Sequence, residues 1–178
     1  MKLNKFAMAA VIAAGITSAS AFAVVAPTNG VIQLKGELVE SACGLAASSS
    51  PVTVDFGQIP TSALAKNKQA GNVHKEIELQ DCDTTTAKTA KVTYTPNTVD
   101  VDNSALAAFT SGTAKGAGIG LIDNGNQPVV WGHASSPVTL VNGTNHIPFV
   151  AYVKADTAST TVTPGTFQSE INFQIDYQ

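Results

Sequence analysis

Charge, aromatic side chains and cysteine are all scarce in this chain of 178 residues. Charged residues make up 13% of it, the net charge is −3, and no basic cluster occurs. Nucleic-acid partners require clustered Lys and Arg, which argues against that class of function. Aromatics reach only 6%, too few for a carbohydrate-stacking platform to announce itself. There are two cysteines with only His74 between them, which argues against a zinc site. His74, His133 and His146 are scattered, and no Ser or Cys nucleophile stands in a recognisable catalytic setting. The glycine-rich stretch from Gly112 to Gly120 lacks the Gly-Lys-Ser/Thr ending of a phosphate loop, and no helical pattern follows it. It reads as a flexible connection before a strand. An enzyme is therefore the weakest reading, and no cofactor or metal is expected.

Long apolar runs are also missing, with one exception. Lys2 and Lys5 precede an apolar run over residues 6–16, and Ala21, Phe22 and Ala23 supply the small residues that a signal peptidase needs. Residues 1–23 read as a secretory signal peptide, cleaved after Ala23 or after Ala21, the rival being an uncleaved anchor. About 155 residues remain, enough for one domain with a real core. Thr, Ser, Ala, Val and Gly dominate, which favours strands over helices. In an exported chain two cysteines most simply pair, the alternative being two buried thiols. A Cys43–Cys82 bridge would contribute about 4 kcal/mol by chain entropy.

What is abundant is alternation. Ile171, Phe173, Ile175 and Tyr177 interleave with Asn172, Gln174 and Asp176, giving a strand with one apolar face. At the other end, Gly30, Ile32, Leu34, Gly36 and Leu38 share one parity, while Gln33, Lys35 and Glu37 take the other and Val31 is the apolar exception. Between them, strands are expected over residues 51–57, 73–82, 91–95, 118–122 and 147–153. Asp123, Asn124 and Gly125 mark a reverse turn, and Asn142 with Gly143 a second, hairpin-type turn that also accounts for the Asn-Gly-Thr sequence there. Residues 61–68 fit a loop or one helical turn. Trp131 reads as a core or interface residue. A single β-sandwich follows.

The two ends together resemble the major pilin subunits of chaperone–usher fimbriae, the type 1 and P pilus group. That family has a Tyr next to last and a Gly fourteenth from the end, where Tyr177 and Gly165 stand. Its N-terminal extension leads through a Gly-Glu/Thr-hydrophobic pair to a Cys, matched by Gly36, Glu37, Leu38, Val39 and Cys43. The resemblance implies an incomplete immunoglobulin-like sandwich lacking its last strand and completed by donor-strand exchange. It divides the chain into signal peptide (1–23), donor extension (24–36) and pilin domain (37–178). Gly30, Ile32, Leu34 and Gly36 would be donor residues; Gly165, Ile171, Phe173, Ile175 and Tyr177 would form the acceptor groove that a chaperone holds first. The implied partners are identical subunits, a periplasmic chaperone, an outer-membrane usher, and minor pilins with a tip adhesin in the same surface fimbria. The expected function is a shaft subunit. The alternative is a minor adaptor or adhesive pilin, although a tip adhesin normally carries an extra receptor domain and needs no donor extension.

Overall fold

The alternating segments become strands because each can turn one apolar face toward a shared core while its backbone pairs sideways. The computed structural model describes residues 28–38, 41–157 and 161–178, so the signal-peptide and cleavage readings lie outside the described residues. Among the described residues nine strands follow in order: β1 (Gly44–Leu45), β2 (Gln69–Cys82), β3 (Thr89–Pro96), β4 (Ser111–Gly112), β5 (Ala117–Ile122), β6 (Val138–Thr139), β7 (Gly143–Ala155), β8 (Phe167–Gln168) and β9 (Ile171–Tyr177). One sheet has the order β1-β2-β7-β5, a second β6-β3-β9, and β4 pairs with β8; every pairing is antiparallel. Residues Met1–Glu37 and Leu38–Gln178 are separate units, and among the described residues every paired strand belongs to the second.

The main core lies between the first two sheets. Ile77, Leu79, Ile147 and Phe149 come from one sheet, Ala90, Val92 and Tyr94 from the other, and all are buried. Tyr94 and Phe149 meet as tilted rings 6.2 Å apart, a favoured aromatic geometry. A second cluster gathers Leu64, Ala107, Ile119 and Val153, and half-buried Trp131 packs against both. Cys43 and Cys82 are joined by a disulfide between the approach to β1 and the end of β2. A register shift between Leu79 and Cys82 explains why the alternation of β2 becomes irregular there.

Several local readings change. Residues 61–68, expected as a loop or one turn, contain a 3₁₀ helix over Thr61–Asn67. Asn142 and Gly143 do not close a hairpin: β6 pairs with β3, while β7, which begins at Gly143, pairs with β2 and β5 in the other sheet. The chain crosses between layers there, and the φ of +91° at Gly143 suits a glycine. The stretch from Gly112 to Gly120 is a connection only in part: it starts on the last residue of β4 and ends inside β5, which leaves residues 113–116 between the two strands.

Candidate functional site

The strand β9 is hydrogen-bonded on one side only. Its partner β3 runs antiparallel to it along the whole length, from Ala90 opposite Tyr177 to Pro96 opposite Ile171. Gln178 adds backbone bonds to Lys88 and Thr89, which fasten this end of the sheet. Among the described residues no strand pairs with the other edge of β9. An edge of this kind presents a row of unsatisfied N–H and C=O groups to any extended chain that reaches it.

The stretch from Pro51 to Ile59 completes the picture. Val52, Val54 and Phe56 are half-buried against the core and alternate with exposed Thr53, Asp55 and Gly57, as the sequence predicts for a strand. Yet the segment joins no ladder, and among the described residues its backbone has no backbone partner. The side chains have found their core while the backbone lacks a neighbour.

Between these two borders lies an open cleft of about 1300 Å³. Val52, Val54 and Phe56 line one border, and Gly165, Phe167, Ile171 and Phe173 line the other. Ile77, Leu121 and Phe149 form its floor. At one part of the wall the rings of Phe167 and Phe109 stack at 4.4 Å, and Phe56 lies 5.8 Å from Phe167. A groove so lined, flanked by two unpaired backbones, is shaped for an extended segment with apolar side chains on alternate residues.

Gly165 stands in this wall for a steric reason. A side chain there would run into the hydroxyl of Thr113 and the backbone of Thr113 and Ala114. That close approach lets the amides of Thr113 and Ala114 donate to the Thr166 carbonyl at 2.9 and 3.0 Å. Tyr177, half-buried, packs on the core at the far end of β9; burial pushes its hydroxyl up, partly offset by a hydrogen bond with Ser41. Burial, with the charge of Asp123 as a lesser cause, likewise raises Tyr94, so both phenols stay neutral and act as packing groups.

The expected acceptor residues thus divide. Gly165, Ile171 and Phe173 line the cleft, whereas Ile175 and Tyr177 continue the same face of β9 against the core without lining it. The expected donor residues Gly30, Ile32, Leu34 and Gly36 lie in a stretch without helix or strand, with Ile32 and Leu34 86% and 89% exposed. Sequence reasoning did not assign Val52, Val54 and Phe56 to the site. Their alternation was the available signal, but alternation does not reveal which strand will lack a neighbour.

These features define a class: an all-β immunoglobulin-like sandwich missing one strand, with the gap open as an apolar cleft. Residues 32–178 match the family "Fimbrial protein". The chain is 59% identical over 184 residues to the major fimbrial subunit of Proteus mirabilis, covering 100% of both. A subunit in the structure of a chaperone–usher pilus superposes with a TM-score of 0.74 at 27% identity, over 87% of this chain and 99% of that one. The P pilus rod subunit PapA gives a TM-score of 0.67 at 28% identity, over 78% and 100% respectively. The chain belongs to the fimbrial protein family, a family of structural subunits rather than enzymes.

Proposed function

We propose that the protein is the repeating subunit of a fimbrial shaft, and that residues Gly30 to Leu38 of one copy fill the cleft of the next. The observation that carries this reading is the pair of unpaired extended borders, Pro51–Ile59 and β9, on an apolar cleft within one sandwich. An inserted strand hydrogen-bonds to both and covers the half-buried side chains. Nine residues at roughly 3.3 Å each span about 30 Å, enough to run the length of β9. Burying Ile32 and Leu34 adds about 1.5–3 kcal/mol for each side chain.

Each copy gives one strand and receives one, so the contact is head-to-tail and grows into a filament on the cell surface. Before assembly the same cleft exposes apolar area and free backbone, which invites aggregation. A periplasmic chaperone fits that need by lending a strand, and an outer-membrane usher would order the exchange. Minor pilins and a tip adhesin complete such a fimbria.

Deleting Val24 to Lys35 tests the assignment. The shortened subunit, expressed with no intact copy, is expected to give no multimer ladder on a denaturing gel run without boiling. It should still take up a free peptide spanning Thr28 to Leu38. A full ladder from the deletion would overturn the donor assignment, and failure to bind the peptide would overturn the acceptor.

A further inference from the structure

Away from the cleft, three carboxylates from two distant parts of the chain converge. Asp100 and Asp102 lie on the loop after β3, and Asp156 directly follows β7. One oxygen from each lies within 4.8 Å of the others. Asp156 is 7% exposed, and its Oδ1 is buried without a hydrogen-bond partner. Leaving a buried carboxylate oxygen unpaired is costly, and two further acidic groups beside it add repulsion. No basic side chain offsets them: among the described residues the ion pair found is His146 with Glu76, elsewhere.

The surrounding backbone holds the arrangement in place by other means. Asp100 Oδ1 accepts the amides of Asp102 and Asn103, both at 2.9 Å. Asn103 Nδ2 donates to the Asp156 carbonyl at 3.0 Å, tying the loop to the end of β7. These bonds position the carboxylates but leave Asp156 Oδ1 unused. Asp102 is exposed, which gives an ion access from solvent.

We propose that Asp100, Asp102 and Asp156 form a calcium site that fastens the loop after β3 to the end of β7. Three carboxylates and no nitrogen or sulfur donor make a set for a hard cation. Calcium takes oxygen ligands at about 2.4 Å in flexible geometry, so oxygens on opposite sides of one ion lie about 4.8 Å apart. Magnesium keeps most of its water and typically takes one or two carboxylates, so it suits this cluster less well. Waters fill the remaining positions toward the open side.

The test uses the protein in its assembled form, recovered from the cell surface, stripped with a chelator and dialysed against radioactive calcium. We expect about one calcium per subunit with a Kd on the order of 10⁻⁴–10⁻³ M, the range of extracellular modules. Asp102→Asn, an exposed change compatible with folding, should weaken uptake at least about tenfold, as should Asp156→Asn. Asp81→Asn, outside the cluster, should leave it unchanged. Should Asp156→Asn fail to assemble, Asp102→Asn still decides the matter. The site is refuted by absence of saturable uptake up to about 10 mM calcium, by uptake in Asp102→Asn equal to that of the unaltered protein, or by equimolar magnesium displacing the calcium.

Discussion

Two neighbouring strands of one sheet, β3 and β9, carry the same alternating pattern and reach different ends. Val92 stands opposite Ile175 and Tyr94 opposite Phe173. Val92 and Tyr94 are 0% and 3% exposed, whereas Ile175 and Phe173 are only half-buried. The apolar residues are similar in size and point into the same core, so hydrophobicity does not explain the contrast. Neighbours do. The strand β3 has β9 on one side and β6 with residues 132–135 on the other, where Gly132 and Ser135 donate to the Tyr94 and Val92 carbonyls. Among the described residues, the strand β9 has β3 alone. A strand pattern therefore specifies which face seeks burial; completion depends on who lies alongside.

The largest expected effect tests whether a strand from another copy supplies the missing cover. Leu34→Asp puts a charge on the face of the extension that enters the cleft, a cost of several kcal/mol. Filaments should disappear from cells viewed by electron microscopy. Val31→Asp, on the opposite parity, should leave them largely intact; equal loss from both changes would break the assigned register.

Next in size is the disulfide, which connects the chain leading into the open border 51–59 with the end of β2, a strand paired along its length with β7. Replacing Cys43 and Cys82 together by Ser should lower the stability of the peptide-filled subunit by up to about 4 kcal/mol in denaturant unfolding. An unchanged midpoint would show that the open border needs no anchor to the closed sheet.

A smaller effect belongs to the closed side. Asp123 is pushed up by burial, but hydrogen bonds from the Ser136, Gln127 and Gly125 amides and the Ser136 side chain outweigh that and hold it below 3.8. Those amides lie 2.7, 2.9 and 2.9 Å away. A depressed folded pKa contributes stability above the unfolded value and loses it as pH falls through the folded one. Asp123→Ala should cost about 2 kcal/mol at neutral pH, and the gap from the parent should shrink on acidification below about pH 4. A pH-independent difference would contradict this.

The finest comparison uses one methylene. Ile147→Val, in the closed core and not in the cleft wall, should cost about 1 kcal/mol whether or not the cleft is occupied. Ile171→Val should cost less in the empty subunit and rise toward the same value once the Thr28–Leu38 peptide is bound. Equal costs at Ile171 in both states would mean that the inserted strand does not cover it.

Much of this was legible without coordinates. Local alternation marked β9, β3, β7 and the stretch 51–57, because side-chain parity is a property of the backbone alone. The pairing of Cys43 with Cys82 followed from there being two cysteines in an exported chain. Less legible was the fate of Asn142 and Gly143, where a turn signal serves a crossover between sheets. A turn dipeptide reports backbone freedom and not which strands it joins.

The sequence by itself determined the all-β character, the apolar face of each strand, the alternating parity of residues 30–38 and 171–177, and the scarcity of charged and aromatic groups. These rest on composition and on periods of two residues, which are local. Only the tertiary structure decided that Pro51–Ile59 packs its side chains yet lacks a backbone partner, that Gly165 is demanded by the backbone of Thr113 and Ala114, and that Asp156 meets Asp100 and Asp102. Each of these depends on segments far apart in the chain arriving side by side, and that is set by how the sheets close on their shared core.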